Sequence, residues 1–65
     1  MTAKQAARHI LAGIVDLVKE NRNDAASAKR AGADKLAAEY TIAADTLSNV
    51  AAGLMAAIEE GEYGE

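Results

Sequence analysis

The stretch that decides the fold is Asp24 to Glu60, DAASAKRAGADKLAAEYTIAADTLSNVAAGLMAAIEE. Its large apolar residues, Leu36, Tyr40, Leu47, Val50, Leu54 and Ile58, follow one another at steps of four, seven, three, four and four, with Ala43 filling the gap. Steps of three and four keep side chains on one stripe of a 3.6-residue helix. Beside that stripe run Ala37, Ala44 and Ala51, seven apart, a row small enough for another helix to come close. The spacing predicts one long helix over Asp24–Glu60. Ala25 to Lys35 carries no large apolar residue, yet its propensity is helical. Gly32 gives the alternative reading, a short helix and a longer one, with Asp34 capping the second.

Upstream, Thr2-Ala3-Lys4-Gln5 has the form of a capping box, which starts a first helix at about Ala3. Ala3, Ala7, Ile10, Leu11, Ile14, Leu17 and Val18 form its apolar stripe, widened by Val15. Gln5, His9, Ala12, Gly13, Asp16 and Glu20 fall on the other side. Asn21-Arg22-Asn23-Asp24 reads as the turn, because asparagine tolerates the left-handed conformation that ends helices and Asp24 or Asn23 is a good N-cap. On these bounds the second helix is about 55 Å long and the first about 27 Å. Half of the long stripe is then uncovered and must meet another copy or a partner. Ile42 and Met55, off that stripe, suggest a second buried face and hence a bundle. Gly61 reads as a C-cap, and residues 62–65 as a flexible C-terminal tail. The expected fold is all-α: a helical hairpin of short helix, turn and long helix, one domain over residues 1–61, assembling into a homo-oligomeric helix bundle.

Composition points the same way. Seventeen of the 65 residues are alanine, Phe and Trp are absent, and the branched aliphatics are four Ile, five Leu and three Val. So short a chain buries a modest fraction of its surface alone, and scaffolds of this size rely on disulfides, a metal or oligomerisation. With no cysteine and one histidine, the third remains. The lack of cysteine fits a reducing compartment. No apolar run approaches the roughly 18 residues of a membrane span, and no secretion signal is recognisable. A cytoplasmic protein without membrane contact is expected. The net charge of −3 conceals an asymmetry: Met1–Lys35 holds seven bases and four acids, while Leu36–Glu65 holds six acids and no base. Opposite charge favours contact between the two segments, within one chain or between chains.

The residues offer little chemistry. His9 stands alone, and a metal site needs three or four ligands. Ser27, Thr41, Thr46 and Ser48 fall on predicted helix without a base beside them, and Glu59 and Glu60 are terminal and solvated. No glycine-rich phosphate loop is present. No enzyme, metal or cofactor is expected. Arg22, Lys29, Arg30 and Lys35 form a basic group suited to phosphate or carboxylate, Tyr40 can stack on a ring, and Arg8 and His9 can add donors. An isoelectric point near 5 and interleaved acids argue against duplex nucleic acid.

In layout the chain is similar to small hairpin proteins that dimerise into four-helix bundles, among them plasmid copy-number regulators that bind paired RNA loops. In size and composition it resembles small accessory proteins of bacteriophages, many of them stoichiometric inhibitors. No motif is shared, so neither resemblance assigns a residue. The leading expectation is a non-catalytic, phage-type inhibitor that sequesters an anionic, nucleotide-like small ligand between subunits through the seven residues above. Its alternatives are an inhibitor or adaptor that docks the seam of Leu36, Tyr40, Leu47, Val50, Leu54 and Ile58 on a host protein, and an RNA-binding hairpin dimer.

Overall fold

The structure, a computed structural model, describes residues 1–63 and consists of two helices, α1 (Ala3–Arg30) and α2 (Asp34–Glu59), folded back on one another. The all-α hairpin is as expected, but its proportions are not. The helices are 28 and 26 residues long, so neither is short, and the turn is at residues 31–33 instead of Asn21–Asp24. α1 therefore covers α2 along its whole length, and the uncovered half-stripe inferred from unequal helices does not exist.

Why α1 continues through Asn21-Arg22-Asn23-Asp24 is visible in its side chains. Asn21 donates from Nδ2 to the carbonyl of Leu17 at 2.8 Å, four residues back, a bond made inside a helix. Arg22 reaches Asp45 on α2 at 3.3 Å. The helix starts as its sequence indicates: the Gln5 amide donates to Thr2 Oγ1 and the Thr2 amide to Gln5 Oε1, both arms of a capping box. It ends at Gly32, whose φ of 80° lies in the left-handed region that glycine enters without steric cost. There the Ala33 amide donates to Ala28 at 2.8 Å and the Gly32 amide to Lys29 at 3.0 Å, the paired bonds of a Schellman motif. Gly61, with φ 78°, ends α2 in the same way, its amide donating to Ile58 and that of Glu62 to Ala57. Ala33 precedes α2 without a side-chain cap, and Asp34 is the first helical residue instead of the cap. Of the expected tail, Glu62 and Tyr63 follow this turn, and Gly64 and Glu65 lie outside the described residues.

The seam between the helices repeats every seven residues on both. On α1 it comprises Lys4, Ala7, Leu11, Ile14, Val18, Asn21, Ala25 and Ala28, and on α2 Ala37, Tyr40, Ala44, Leu47, Ala51, Leu54 and Ile58, all buried or half-buried. This is the 3,4 spacing of an antiparallel coiled pair. The buried members are Ala7, Ala28, Ala37, Ala44, Ala51 and Ile58, with Ala44 at 0% exposure. Five of the six are alanine, so the backbones can close on each other, but little bulk is enclosed. Among the described residues no large side chain is fully buried.

By length and composition alone, α2 is also long and apolar enough to cross a membrane, with an 18-residue window of mean hydropathy 1.3. This departs from the expectation that no such run exists. Alanine supplies much of that average. A central Asp such as Asp45 costs about 2.5 to 3.5 kcal/mol on insertion, whereas Ile42, Leu47, Val50, Leu54 and Ile58 return only about 0.3 to 0.6 kcal/mol each.

Candidate binding surfaces

The hairpin is a slab, 48 Å long, 17 Å wide and 11 Å thick between Cα atoms, with two broad faces. Residues one position after Asn21 and Ala28 on α1, and one after Tyr40, Leu47 and Leu54 on α2, project toward the same face, because each residue turns the helix by 100°. The Arg22–Asp45 pair lies on it and fixes the assignment. An open groove of about 610 Å³ near the turn lies there too, walled by Ala25, Ala26 and Lys29 of α1 and Ala37, Thr41 and Ile42 of α2, with Asp34 at its end.

The basic residues predicted as a ligand site are distributed along this face and its edge. Lys29 lines the groove. Arg30, exposed in the last turn of α1, donates to Ser27 Oγ at 3.2 Å. Lys35 stands just across the turn, beside a shallow hollow lined by Gly32, Leu36 and Glu39. Lys29, Arg30 and Lys35 are thus brought to one end. Arg22 is about 10 Å down the helix from Lys29 by helical rise and is engaged by Asp45. Tyr40 is half-buried in the seam. Arg8 and His9 are exposed near the other end, about 31 Å from Lys29 along α1, so no single pocket within one chain gathers all seven. Among the described residues no three His, Cys, Asp or Glu side chains are grouped to hold a metal ion.

The groove face also carries Ile42 and Met55, 65% and 46% exposed, so the second buried face expected of them is not formed within the hairpin; the opposite broad face carries four such residues. Ile10 and Leu17 precede the seam residues Leu11 and Val18, as Leu36 and Val50 precede Ala37 and Ala51, which places all four on this face. They are 58%, 46%, 44% and 51% exposed. Gly13 and Gly53 lie at about the same level between them, and a Cβ added at either meets nothing within 4 Å. The described charged positions on this face are Glu20, Asp24, Glu39 and Glu60, all acidic. Of the residues predicted as an interface, Leu36 and Val50 point outward here, Tyr40, Leu47 and Leu54 are half-buried against α1, and Ile58 is 6% exposed within the hairpin. The reading of the sequence placed Ile10 and Leu17 in one broad stripe and missed that they stand outside the seam. Their signal was their position one residue ahead of the sevenfold repeat.

No protein-family model matches the chain, and neither a curated protein nor a solved structure matches it.

Proposed function

We propose that this protein is a non-catalytic binding hairpin that acts stoichiometrically in the cytoplasm, and that its working surface is the broad face carrying Ile10, Leu17, Leu36 and Val50. The observation that carries this reading is that four large apolar side chains, 44–58% exposed, lie on one face. A face of this kind serves association, since scattered single apolar residues are ordinary on a surface, whereas Ile10, Leu17 and Val50 lie close in level along the hairpin, with Leu36 a separate apolar position nearer the turn. Docking of such a face on protein buries the apolar side chains and leaves Glu20, Glu39 and Glu60 toward its edges, with Asp24 in the row of Leu17 on the side of the turn. The test is a photo-crosslinking residue introduced at Leu36 and, as a control, at Ile42 on the other side. A one-to-one protein adduct from position 36 and none from 42 is expected. Equal or absent labelling from both positions removes the reading.

A second reading is favoured by the groove. Its walls are largely apolar and Lys29 lines it, with Asp34 at its end. Arg30, bonded to Ser27, and Lys35, in the neighbouring hollow with Glu39, are near the turn, so a planar anionic ligand such as a nucleotide would rest on the apolar walls and meet Lys29 first. In this reading the ligand sits on the face opposite the docking face, not between subunits. Thermal-shift measurement against nucleotides and cyclic nucleotides tests it. Stabilisation that is lost in the Lys29→Glu, Arg30→Glu double variant is the expected result, and none in the parent chain refutes it.

A further inference from the structure

The docking reading above leaves the occupant of the face open. We infer that the occupant is a second copy of this chain, stacked face to face so that two hairpins form a four-helix bundle with Ile10, Leu17 and Val50 of both copies in its middle. Three observations converge on a second copy.

The first is area. The chain has 4511 Å² of accessible surface, whereas a compact monomer of 6.7 kDa has about 3,900 Å² by the usual scaling with mass. The excess of roughly 600 Å² is close to what one partner loses in a standard interface. A face 48 Å by 17 Å offers about 800 Å² per copy, hence about 1,600 Å² for the pair, the size at which specific complexes are stable.

The second is the missing core. The hairpin's own seam encloses alanines, and no large side chain among the described residues is fully buried within it. Pairing would place Leu17 and Val50 in the bundle centre next to the half-buried Ile14, Leu47 and Leu54, supplying the interior that a lone hairpin lacks. A second copy is present wherever the chain is present, so it can meet this need at every site of synthesis.

The third is shape and charge. Gly13 and Gly53, two positions after seam residues Leu11 and Ala51, leave the flanks of the face beside Ile10, Leu17 and Val50 free of Cβ atoms, with open space above, which lets a partner helix approach closely there. The acidic positions Glu20, Asp24, Glu39 and Glu60 disfavour anionic surfaces such as phosphate-rich membranes or nucleic acid; in a pair of copies the same acids have to stay apart and solvated, so charge excludes those surfaces without itself selecting a second copy.

The experiment is sedimentation of the full chain from micromolar to millimolar concentration, with helicity followed by circular dichroism. The parent chain is expected to sediment as a pair. Leu17→Glu is expected to weaken pairing at least a hundredfold, and Ile42→Glu, on the other face, to leave it unchanged. Gly53→Ala covers the case in which Leu17→Glu fails to fold: its methyl meets nothing within one hairpin, so the helices persist while pairing weakens about tenfold. A parent chain that is helical and solitary at millimolar concentration overturns the inference, as does pairing equally strong in Leu17→Glu and Gly53→Ala. So does transfer of the solitary chain onto phosphatidylcholine vesicles added to the cell. Crosslinking from position 36 to a different protein, with a solitary parent chain, refutes the second copy but keeps the docking face. Absence of both pairing and crosslinking refutes the two together.

Discussion

Gly32 stands at φ 80° with open space around its Cα, so what glycine contributes there is backbone freedom and not room. An L-residue in the left-handed region costs roughly 1–2 kcal/mol. Gly32→Ala is therefore expected to destabilise the hairpin by about that much, read as a fall in the urea or thermal unfolding midpoint. An unchanged midpoint refutes the strain argument. Gly13 and Gly53 present the opposite case, because both are inside regular helix and neither has a neighbour within 4 Å of an added Cβ. In chain too dilute to associate, Gly13→Ala should raise stability by about 1 kcal/mol through helix propensity alone, measured by denaturant unfolding. The same substitution being neutral or harmful in dilute chain would mean that something within the hairpin already packs on that spot. Three helical-looking glycines thus have two different meanings, and the sequence separates them by their surroundings. Gly13 and Gly53 lie among periodic Ile, Val and Leu, whereas Gly32 sits in a run of small and charged residues with no apolar residue to hold a helix against its neighbour.

At the scale of the elements, the hairpin and its two outer ends were legible, in the capping box at Thr2 and the stop at Gly61, while the broad apolar stripes resolve into a seam and, with Ile10, Leu17, Leu36 and Val50, an outward set. The turn was misplaced because Asn21 to Asp24 has the composition of a loop, and local composition lost to tertiary register. Asn21 occupies a seam position between Val18 and Ala25, and Arg22 finds Asp45 across the hairpin. Counts by seven from Lys4 to Ala25 and from Ala7 to Ala28 show the seam passing through residues 21–24 without a break. The same misplacement spoiled the ligand site. A bend at residues 21–24 groups Arg22 with Lys29, Arg30 and Lys35 and brings Arg8 alongside, whereas the equal helices put Arg8 at the far end. The seam itself is testable. Ala44 has 0% exposure, so Ala44→Leu forces the helices apart and should cost about 1–3 kcal/mol by overpacking. Ala52→Leu, on the exposed surface of the same helix, should stay within about 0.5 kcal/mol. Equal effects at both positions, measured by unfolding, would show that α1 and α2 do not meet along the alanine row. By contrast, the Arg22–Asp45 pair has side chains 50% and 63% exposed, and exposed pairs contribute roughly 0.2–1 kcal/mol. It marks the register more than it holds the fold.

At the scale of the molecule, an alanine seam and an apolar face have linked consequences. Alanine lets the helices close together, but it encloses little that water would otherwise touch, and the larger side chains Ile10, Leu17, Leu36 and Val50 are displaced to the outside. Stability is then divided between an interior that one chain owns and a face that it leaves open to contact. If that contact is between copies, folding is tied to association, and the folded form gains with chain concentration by mass action. Tenfold more chain favours each pair by about 1.4 kcal/mol, or about 0.7 kcal/mol per chain. In a domain of this length 1 kcal/mol moves the thermal midpoint by roughly 4–8 °C, so each tenfold increase should raise it by about 3–6 °C. Leu17→Glu should flatten that dependence while leaving a lower, concentration-independent midpoint that reports the seam alone. A parent chain whose midpoint stays constant over two decades of concentration would show that the alanine seam suffices for one hairpin, and the exposed face would then have to be explained by a partner that the chain can fold without.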